Sequence, residues 1–422
     1  MPEYIAIVDG YSTAQHLPAA FRQYGKKVIH IHSSPEIPEI LQRSYHPQNF
    51  DLSLPYAELK EIAAALRPYA PQVVIAGAES GVLYADGLAE CMGLRWNVPS
   101  LSSARRNKYE MIEALQRAGL PTARQMASAD SEAIARWARS LDEWPIVLKP
   151  PLSTSSEDVY FCRGVEEIHQ NVPKIVGKTN YLGIRNEAAL AQTYLDGQFY
   201  VVNSVSLDGE HLSSDVWYWE FVQNEYGHLN FTQHSLLHPS SEAFKPLVEY
   251  NNKALDAVGI RNGPSHSELK FTRNGPRLIE TAARLMGATI ERGPIVSARG
   301  ITQVELTAMA ICDPARFRGY LRESYHQHKH LTVLWVHFPH AGIIDGDEGC
   351  KQLESLPSFA CYVNKPKVGT QVGPSKDTTG RGGFIYMLNE DRRALEGDVQ
   401  RARRMIDNQT LFTVRQEPSR RK

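Results

Sequence analysis

Apolar residues fall into short unbroken runs near the start of the chain, separated by stretches in which they recur at helical spacing. Tyr4 to Val8 is one run, ending at Asp9-Gly10, and Val28 to Ile31 is the next. Between them Ala14, Leu17 and Phe21 share one helical face, with Ser12 as the expected cap and Gly25 as the stop. The pattern repeats in Val73 to Ala76, which ends at Gly77, and in Val82 to Met92, stopped by Gly93. Buried strands alternating with amphipathic helices predict a doubly wound parallel α/β domain over residues 1–103. Ligands collect beyond the carboxyl ends of strands in such sheets, so Glu79 and Ser80 are candidates for substrate contact, with capping of the next helix as the alternative. The first strand is not followed by G-x-G-x-x-G, which weakens a dehydrogenase reading.

From Ala104 the pattern changes. Met111, Ile112, Leu115 and Ala118 mark a helix up to Gly119, and Ile134, Trp137, Ala138 and Leu141 mark another. Ile146-Val147-Leu148-Lys149 then reads as a buried strand halted by Pro150-Pro151. Asp196-Gly197 and Asp208-Gly209 separate three strand-like runs, Ala189 to Leu195, Gln198 to Leu207 and His211 to Trp219, as a meander would require. The middle of the chain is thus α+β and largely antiparallel. An apolar strand, Leu331 to Phe338, opens the last region, and a basic helix near Arg392 to Met405 fits a solvated face.

The length of 422 residues exceeds one domain of about 150. Hydrophobic residues at 42% and charged residues at 22% exclude global disorder. Lys plus Arg (46) nearly cancel Asp plus Glu (47), leaving no electrostatic footprint for nucleic acid or an anionic membrane. Cys91, Cys162, Cys312, Cys350 and Cys361 are scattered without a C-x-x-C pair, which argues against a disulfide framework or zinc knuckle and for a reducing, cytoplasmic setting. The first residues carry no basic stretch before their apolar run and read as a strand rather than a signal peptide. No apolar stretch approaches the ~18 residues of a membrane span.

The densest chemistry lies in GPSHSELKFTRNGPRLIETAAR, Gly263 to Arg284. A three-residue hairpin loop, Arg273-Asn274-Gly275, would set Glu268 directly across from Glu280; a two-residue turn would send Glu280 to the opposite face. Facing carboxylates repel, so the pair suggests a bridging divalent cation with oxygen ligands. His266, Glu268 and Lys270 would share a face with Glu280 and Ala282, with Arg284 close beyond. Lys149 ends its strand before the polar loop Leu152 to Val159, whose N–H and hydroxyl groups suit a triphosphate. Lys108 stands at a helix start, where a cation opposes the helix dipole and so answers to an anion. Asp215 is a candidate for a substrate ammonium, with a surface strand carboxylate the alternative. His326, His328 and His330 lack a carboxylate partner and flank Lys329, so a metal site is disfavoured there. Trp217 and Trp219 fit cross-strand packing.

In order and spacing these parts resemble the ATP-grasp superfamily: N-K-Y-E-M-I-E-A-L-Q-R-A-G-L-P (Asn107 to Pro121), I-V-L-K-P (Ile146 to Pro150), A-Q-T-Y-L-D-G (Ala191 to Gly197), and G-P-S-H-S-E with L-I-E-T-A-A-R. The preceding α/β domain, with G-A-E-S-G (Gly77 to Gly81), extends the resemblance over nearly the whole chain. The chain looks most like the L-amino acid ligases that make dipeptides. The resemblance implies an α/β N-terminal domain (1–103), a central nucleotide-binding lid (104–190), an antiparallel catalytic domain (191–330) and a C-terminal subdomain packing on it (331–422).

It further implies that Lys108 and Lys149 hold nucleotide phosphates, that the loop Ser153, Thr154, Ser155 and Ser156 closes over them, and that Gln192, Tyr194, Leu195 and Gln198 lie along the adenine and ribose side. Glu268 and Glu280 would bind Mg2+, with Mn2+ able to substitute. Arg284 would steady the transferred phosphoryl group, and His266 would orient a carboxylate. The phosphate loop lacks the usual glycine, Gln192 replaces a common acidic residue, Gln198 stands near an expected ribose-binding Glu, and Ala282 replaces an Asn ligand, as in the dipeptide ligases. The expected activity is ATP-dependent joining of an amino acid carboxylate, through an acyl phosphate, to an amine. The alternatives are a ligase for another acid or a longer peptide, and a nucleotide-binding protein without turnover. The expected partners are small-molecule amino acids, not nucleic acid or membrane; a homodimer is an open alternative.

Overall fold

The computed structural model describes residues 3–37, 39–94, 96–153, 157–223, 229–287, 291–323, 325–373 and 381–415. The chain divides into two compact units, one built from Met1–Val216, Glu242–Ile290 and Ile301–Tyr325, the other from Trp217–Ser241, Glu291–Gly300 and His326–Lys422.

The first unit opens with four parallel strands, β1 (Tyr4–Val8), β2 (Lys27–Ile31), β3 (Leu52–Leu54) and β4 (Val74–Ala76), in the order β3-β2-β1-β4. The apolar runs of β1, β2 and β4 are buried, as strands inside an all-parallel sheet require, whereas β3 at the sheet edge is only partly covered. Ser12 does not cap the first helix. It lies inside a 3-10 turn, Ser12–His16, with φ at 52°, and its N–H donates to Ser44 Oγ at 2.9 Å, so its backbone is not in the extended conformation a cap needs. Strand order reverses between β1 and β4, and there the loops after the two strands press together. A Cβ on Gly77 would lie 2.5 Å from the Asp9 carbonyl oxygen, so only glycine permits this approach, which delivers Glu79 to the sheet's carboxyl edge.

An antiparallel sheet follows, made of β5 (Gln125–Ser128), β6 (Ile146–Lys149), β7 (Tyr160–Cys162) and β8 (Ala189–Thr193) in the order β5-β8-β6-β7. Helices Ser131–Leu141 and Val165–Ile175 pack Ile134, Ala138, Ile168 and Val172 against it. Of the meander expected over 189–219, the first strand therefore goes to a different sheet, while the second and third remain neighbours. Ala189, Leu190 and Ala191 are completely buried, and such a run takes an interior place between β5 and β6 rather than pairing with its sequence neighbour. The boundary expected at 190/191 falls inside this strand.

Next come β9 (Gly197–Leu207), β10 (Glu210–Gln223), β11 (Leu229–Leu236), β12 (Gly263–Thr272) and β13 (Gly275–Ala282). The first unit orders its strands β13-β12-β9-β10, and the chain passes to the second unit within β10, at Trp217. Asp208 and Gly209 both have positive φ (54° and 86°), the conformation a two-residue hairpin turn demands.

In the second unit the end of β10 is followed in space by β11, β14 (His330–His337), β18 (Arg381–Asn389) and β16 (Phe359–Val363). A small sheet holds β15 (Gly342–Gly346), β17 (Gln371–Val372) and β19 (Thr413–Arg415). Helix Arg392–Asp407 buries Leu395, Val399, Ala402 and Ile406 in a core with Leu334, Ile385 and Met387. Trp217 and Trp219 are buried, and Trp219 stacks on His234 across the strands at 4.6 Å. His328 donates its N–H to the Ala298 carbonyl, and the His330 ring sits 5.5 Å from that of His238. No helix among the described residues is long and apolar enough to cross a membrane.

Candidate active site

Helix Lys108–Arg117 starts where Asn107 accepts the N–H groups of Tyr109 and Glu110. That cap fixes Lys108 as the first helical residue. Its ammonium donates to the Ser153 carbonyl oxygen at 3.0 Å and pairs with Glu280 Oε2 at 2.6 Å, which answers the opposition of the helix dipole. Lys149, at the end of β6, is buried and makes no ion pair among the described residues. Burial, then the charge of Lys108, push its ammonium down to about 8, against the opposite pull of Glu280 and Glu268. The following loop is anchored at its first residue. Ser153 Oγ donates to Glu157 Oε2 at 2.8 Å, and Glu157 accepts the Tyr181 N–H at 2.9 and 3.0 Å. Thr154, Ser155 and Ser156 lie outside the described residues.

Glu268 faces Glu280 directly, by a route different from the expected one. Thr272 pairs with Gly275, so the loop is only Arg273-Asn274, and Leu269 pairs with Leu278. A bulge then inserts Ile279, which returns Glu280 to the face of Glu268. Burial would raise the Glu280 carboxyl, but Lys108 outweighs it with help from Lys149, and the net direction is down despite the nearby Glu79. The repulsion within the glutamate pair is thus partly answered by lysine. Lys270, opposite Arg277, donates to the Gly197 carbonyl at 2.9 Å.

Arg284, beyond the end of β13, donates from Nε to Glu79 Oε2 at 2.7 Å and from Nη1 to the Leu285 carbonyl at 2.9 Å. Arg106 Nη1 holds the other Glu79 oxygen. Burial pushes the Glu79 carboxyl up, but Arg284, Arg106 and Lys108 together pull it down to about 2. Glu79 therefore neither caps a helix nor stands free; it is the shared counterion of two arginines. Ser80 turns away, donating to Asp9 Oδ2 at 2.5 Å beside Ser33. Asp215 is not a surface carboxylate: it is buried, accepting from Asn203 Nδ2 at 2.5 Å and Ser214 Oγ at 2.7 Å. Asn203 Oδ1 lies 2.8 Å from His266 Nδ1, and His266 Nε2 is 3.6 Å from Glu268 Oε1.

Gln192 turns its amide to Gln125 at 3.1 Å, Tyr194 sets its ring edge-on to Phe161 at 6.0 Å, Leu195 is half-buried, and Gln198 is exposed at the start of β9. Sequence reasoning missed Arg106 and Asn203. Arg106 stood beside Lys108 in a short basic run; Asn203 interrupts the apolar run FYVVNSVSL, where a polar residue in a buried strand is itself the signal.

A model of the ATP-grasp domain matches residues 142–291. Dapdiamide A synthase of Enterobacter agglomerans is 31% identical over 340 residues, which cover 79% of this chain and 79% of that protein. The chain belongs to the ATP-grasp carboxylate–amine ligases. Alanine–anticapsin ligase of Bacillus subtilis (strain 168) is 25% identical over 221 residues, 47% of this chain and 45% of the relative. The crystal structure of L-amino acid ligase from Bacillus licheniformis shares the fold, with a TM-score of 0.74 at 17% identity over 99% of both chains. This is an ATP-grasp ligase of the amino acid ligase type. Lys149, Asp215, His266, Glu268, Glu280 and Arg284 fall within the matched domain, whereas Glu79, Arg106 and Lys108 precede it.

Proposed function

We propose that this ATP-grasp ligase transfers the terminal phosphoryl group of ATP to an amino acid carboxylate and joins the acyl phosphate to a second L-amino acid, giving a dipeptide, ADP and phosphate. The observation that carries this reading is charge arrangement: a buried lysine without an ion pair among the described residues, Lys149, stands beside Lys108 and the facing carboxylates Glu268 and Glu280. A buried cation without a direct ion pair is costly and is satisfied by an anionic ligand such as a polyphosphate. Relatives named alanine–anticapsin ligase and L-arginine-specific L-amino acid ligase support an amino acid as one of the substrates.

The donor set also fits Mg2+, because two carboxylates project from directly paired positions and phosphate oxygens would supply further oxygen ligands. Magnesium held by Glu268 and Glu280 would neutralise phosphate charge. Lys149 and Lys108 bind the phosphates; Lys108 does so by releasing part of its contact with Glu280. Arg284 is held by Glu79 and the Leu285 carbonyl, which leaves Nη2 to donate to the transferred group or the developing oxyanion. The protein supplies alignment and charge, and the amine displaces phosphate from the activated carbonyl. A mass-spectrometric screen of amino acid pairs with ATP and Mg2+ tests the reading. At least one pair is expected to give a dipeptide mass with stoichiometric phosphate; phosphate release without any condensed product would overturn it.

A further inference from the structure

Asp215 and Asn203 are buried polar residues that the reaction above does not use, and both lead to His266. A carboxylate only accepts hydrogen bonds, so the Asn203 atom 2.5 Å from Asp215 Oδ1 is its NH2 group. Ser214 donates to the other carboxylate oxygen at 2.7 Å, consistent with an acceptor at that position. The Asn203 amide is thereby oriented, and its oxygen faces His266 Nδ1 at 2.8 Å. An amide oxygen cannot donate, so Nδ1 carries the hydrogen, and of the two neutral tautomers the contact selects the one with its lone pair on Nε2. Strand register supports the same chain of contacts, because Asn203 and His266 are directly paired on β9 and β12.

Nε2 points toward Glu268 Oε1 but stops at 3.6 Å, too far for a hydrogen bond. The Nε2 lone pair therefore calls for a donor from the substrate, which an ionised carboxylate cannot supply and an amine N–H can.

We propose that Asp215 and Asn203 are positioning residues that hold His266 in its Nδ1–H tautomer, so that Nε2 accepts an N–H of the amine substrate. The role assigned to Nε2 rests on the ligase reading above; the tautomer does not. Asp215 fixes the amide of Asn203, and Asn203 fixes the ring.

Long-range proton–nitrogen NMR correlations within the His266 ring test the first half on the ligand-free, full-length protein. The wild type is expected to show the Nδ1–H tautomer, and Asp215→Asn, which lets Asn203 turn over, is expected to populate Nε2–H. Kinetics with hydroxylamine as the amine test the second half. Asp215→Asn should raise the KM for hydroxylamine by about fivefold or more, the scale of one hydrogen bond, while the KM for ATP moves less than about twofold. An Nε2–H tautomer in the wild type would overturn the proposal, as would a variant with unchanged tautomer and unchanged KM. The wild-type spectrum decides the tautomer whether or not the variant folds. Absence of any hydroxamate with the wild type would overturn the ligase reading and the role of Nε2 while the tautomer result stood, so the two failures are distinguishable.

Discussion

Lys149 is the side chain on which the proposed nucleotide site most depends. Its ammonium is held down to about 8 because it is buried beside Lys108, and an arriving phosphate would raise it again. Nucleotide binding near pH 8 should therefore be accompanied by proton uptake, seen in calorimetry as a dependence of the binding heat on buffer ionisation enthalpy. Lys149→Ala should abolish that uptake and weaken ATP binding at least about tenfold, the equivalent of ~1.4 kcal/mol. Unchanged affinity would remove Lys149 from the site. In the ligand-free protein the sign is opposite to that of a paired lysine: between about pH 8 and 10.5 the unfolded chain binds more protons, so this residue's contribution to stability rises with pH. Glu280 corrects a simple expectation from sequence. Relief of repulsion alone would make Glu280→Gln stabilising in the metal-free protein. With Lys108 at 2.6 Å, the substitution instead strips a partly buried ammonium of its counterion and should cost on the order of 1–3 kcal/mol in chemical denaturation, besides abolishing turnover.

At the scale of elements, the site depends on where helices and strands begin and on one irregularity in a hairpin. Asn107→Ala removes the acceptor for two free N–H groups at the start of Lys108–Arg117 and should destabilise the protein by roughly 0.5–2 kcal/mol. The same change should raise the KM for ATP, because Lys108 loses its fixed place; Asn107→Asp should restore stability in thermal unfolding. Much of this level was legible in the residue pattern. The strands ending at Val8, Ala76 and Lys149, and the helices closed by Gly93 and Gly119, follow from apolar runs and left-handed glycines. The pairing of Glu268 with Glu280 was also foreseen, yet its cause was not. Turn chemistry pointed to three loop residues, while the structure uses two and a bulge at Ile279, which no local preference announces. The partners of Ala189–Thr193 and the convergence of Glu79 on Arg284 were illegible for a related reason: both depend on residues distant in sequence.

Across the molecule, the first unit is fastened by Arg105, a fully buried guanidinium. It donates to Asp86 Oδ2 from Nε and Nη2 at 3.0 and 2.8 Å, to the Val98 carbonyl at 3.0 Å, and to the Val258 carbonyl at 3.0 Å. One side chain thereby ties helix Val82–Cys91, the segment before Lys108 and the turn that precedes β12. Burial pulls its pKa down and Asp86 opposes this, so removal of the carboxylate leaves a buried charge without compensation. Asp86→Ala should destabilise the first unit by about 3–5 kcal/mol in denaturant unfolding, although Asp86 touches none of the reactive groups. The same unit holds Glu79, Arg106, Lys108, Lys149, Glu268, Glu280 and Arg284, which in the proposed reaction would serve transfer of the terminal phosphoryl group rather than expulsion of pyrophosphate. The nucleotide products therefore test the central claim most directly. Chromatography of a reaction with ATP, Mg2+ and a condensing amino acid pair should show ADP and inorganic phosphate formed in step with the amide, and hydroxylamine should divert the intermediate to a hydroxamate. Formation of AMP and pyrophosphate in step with the amide would contradict the account.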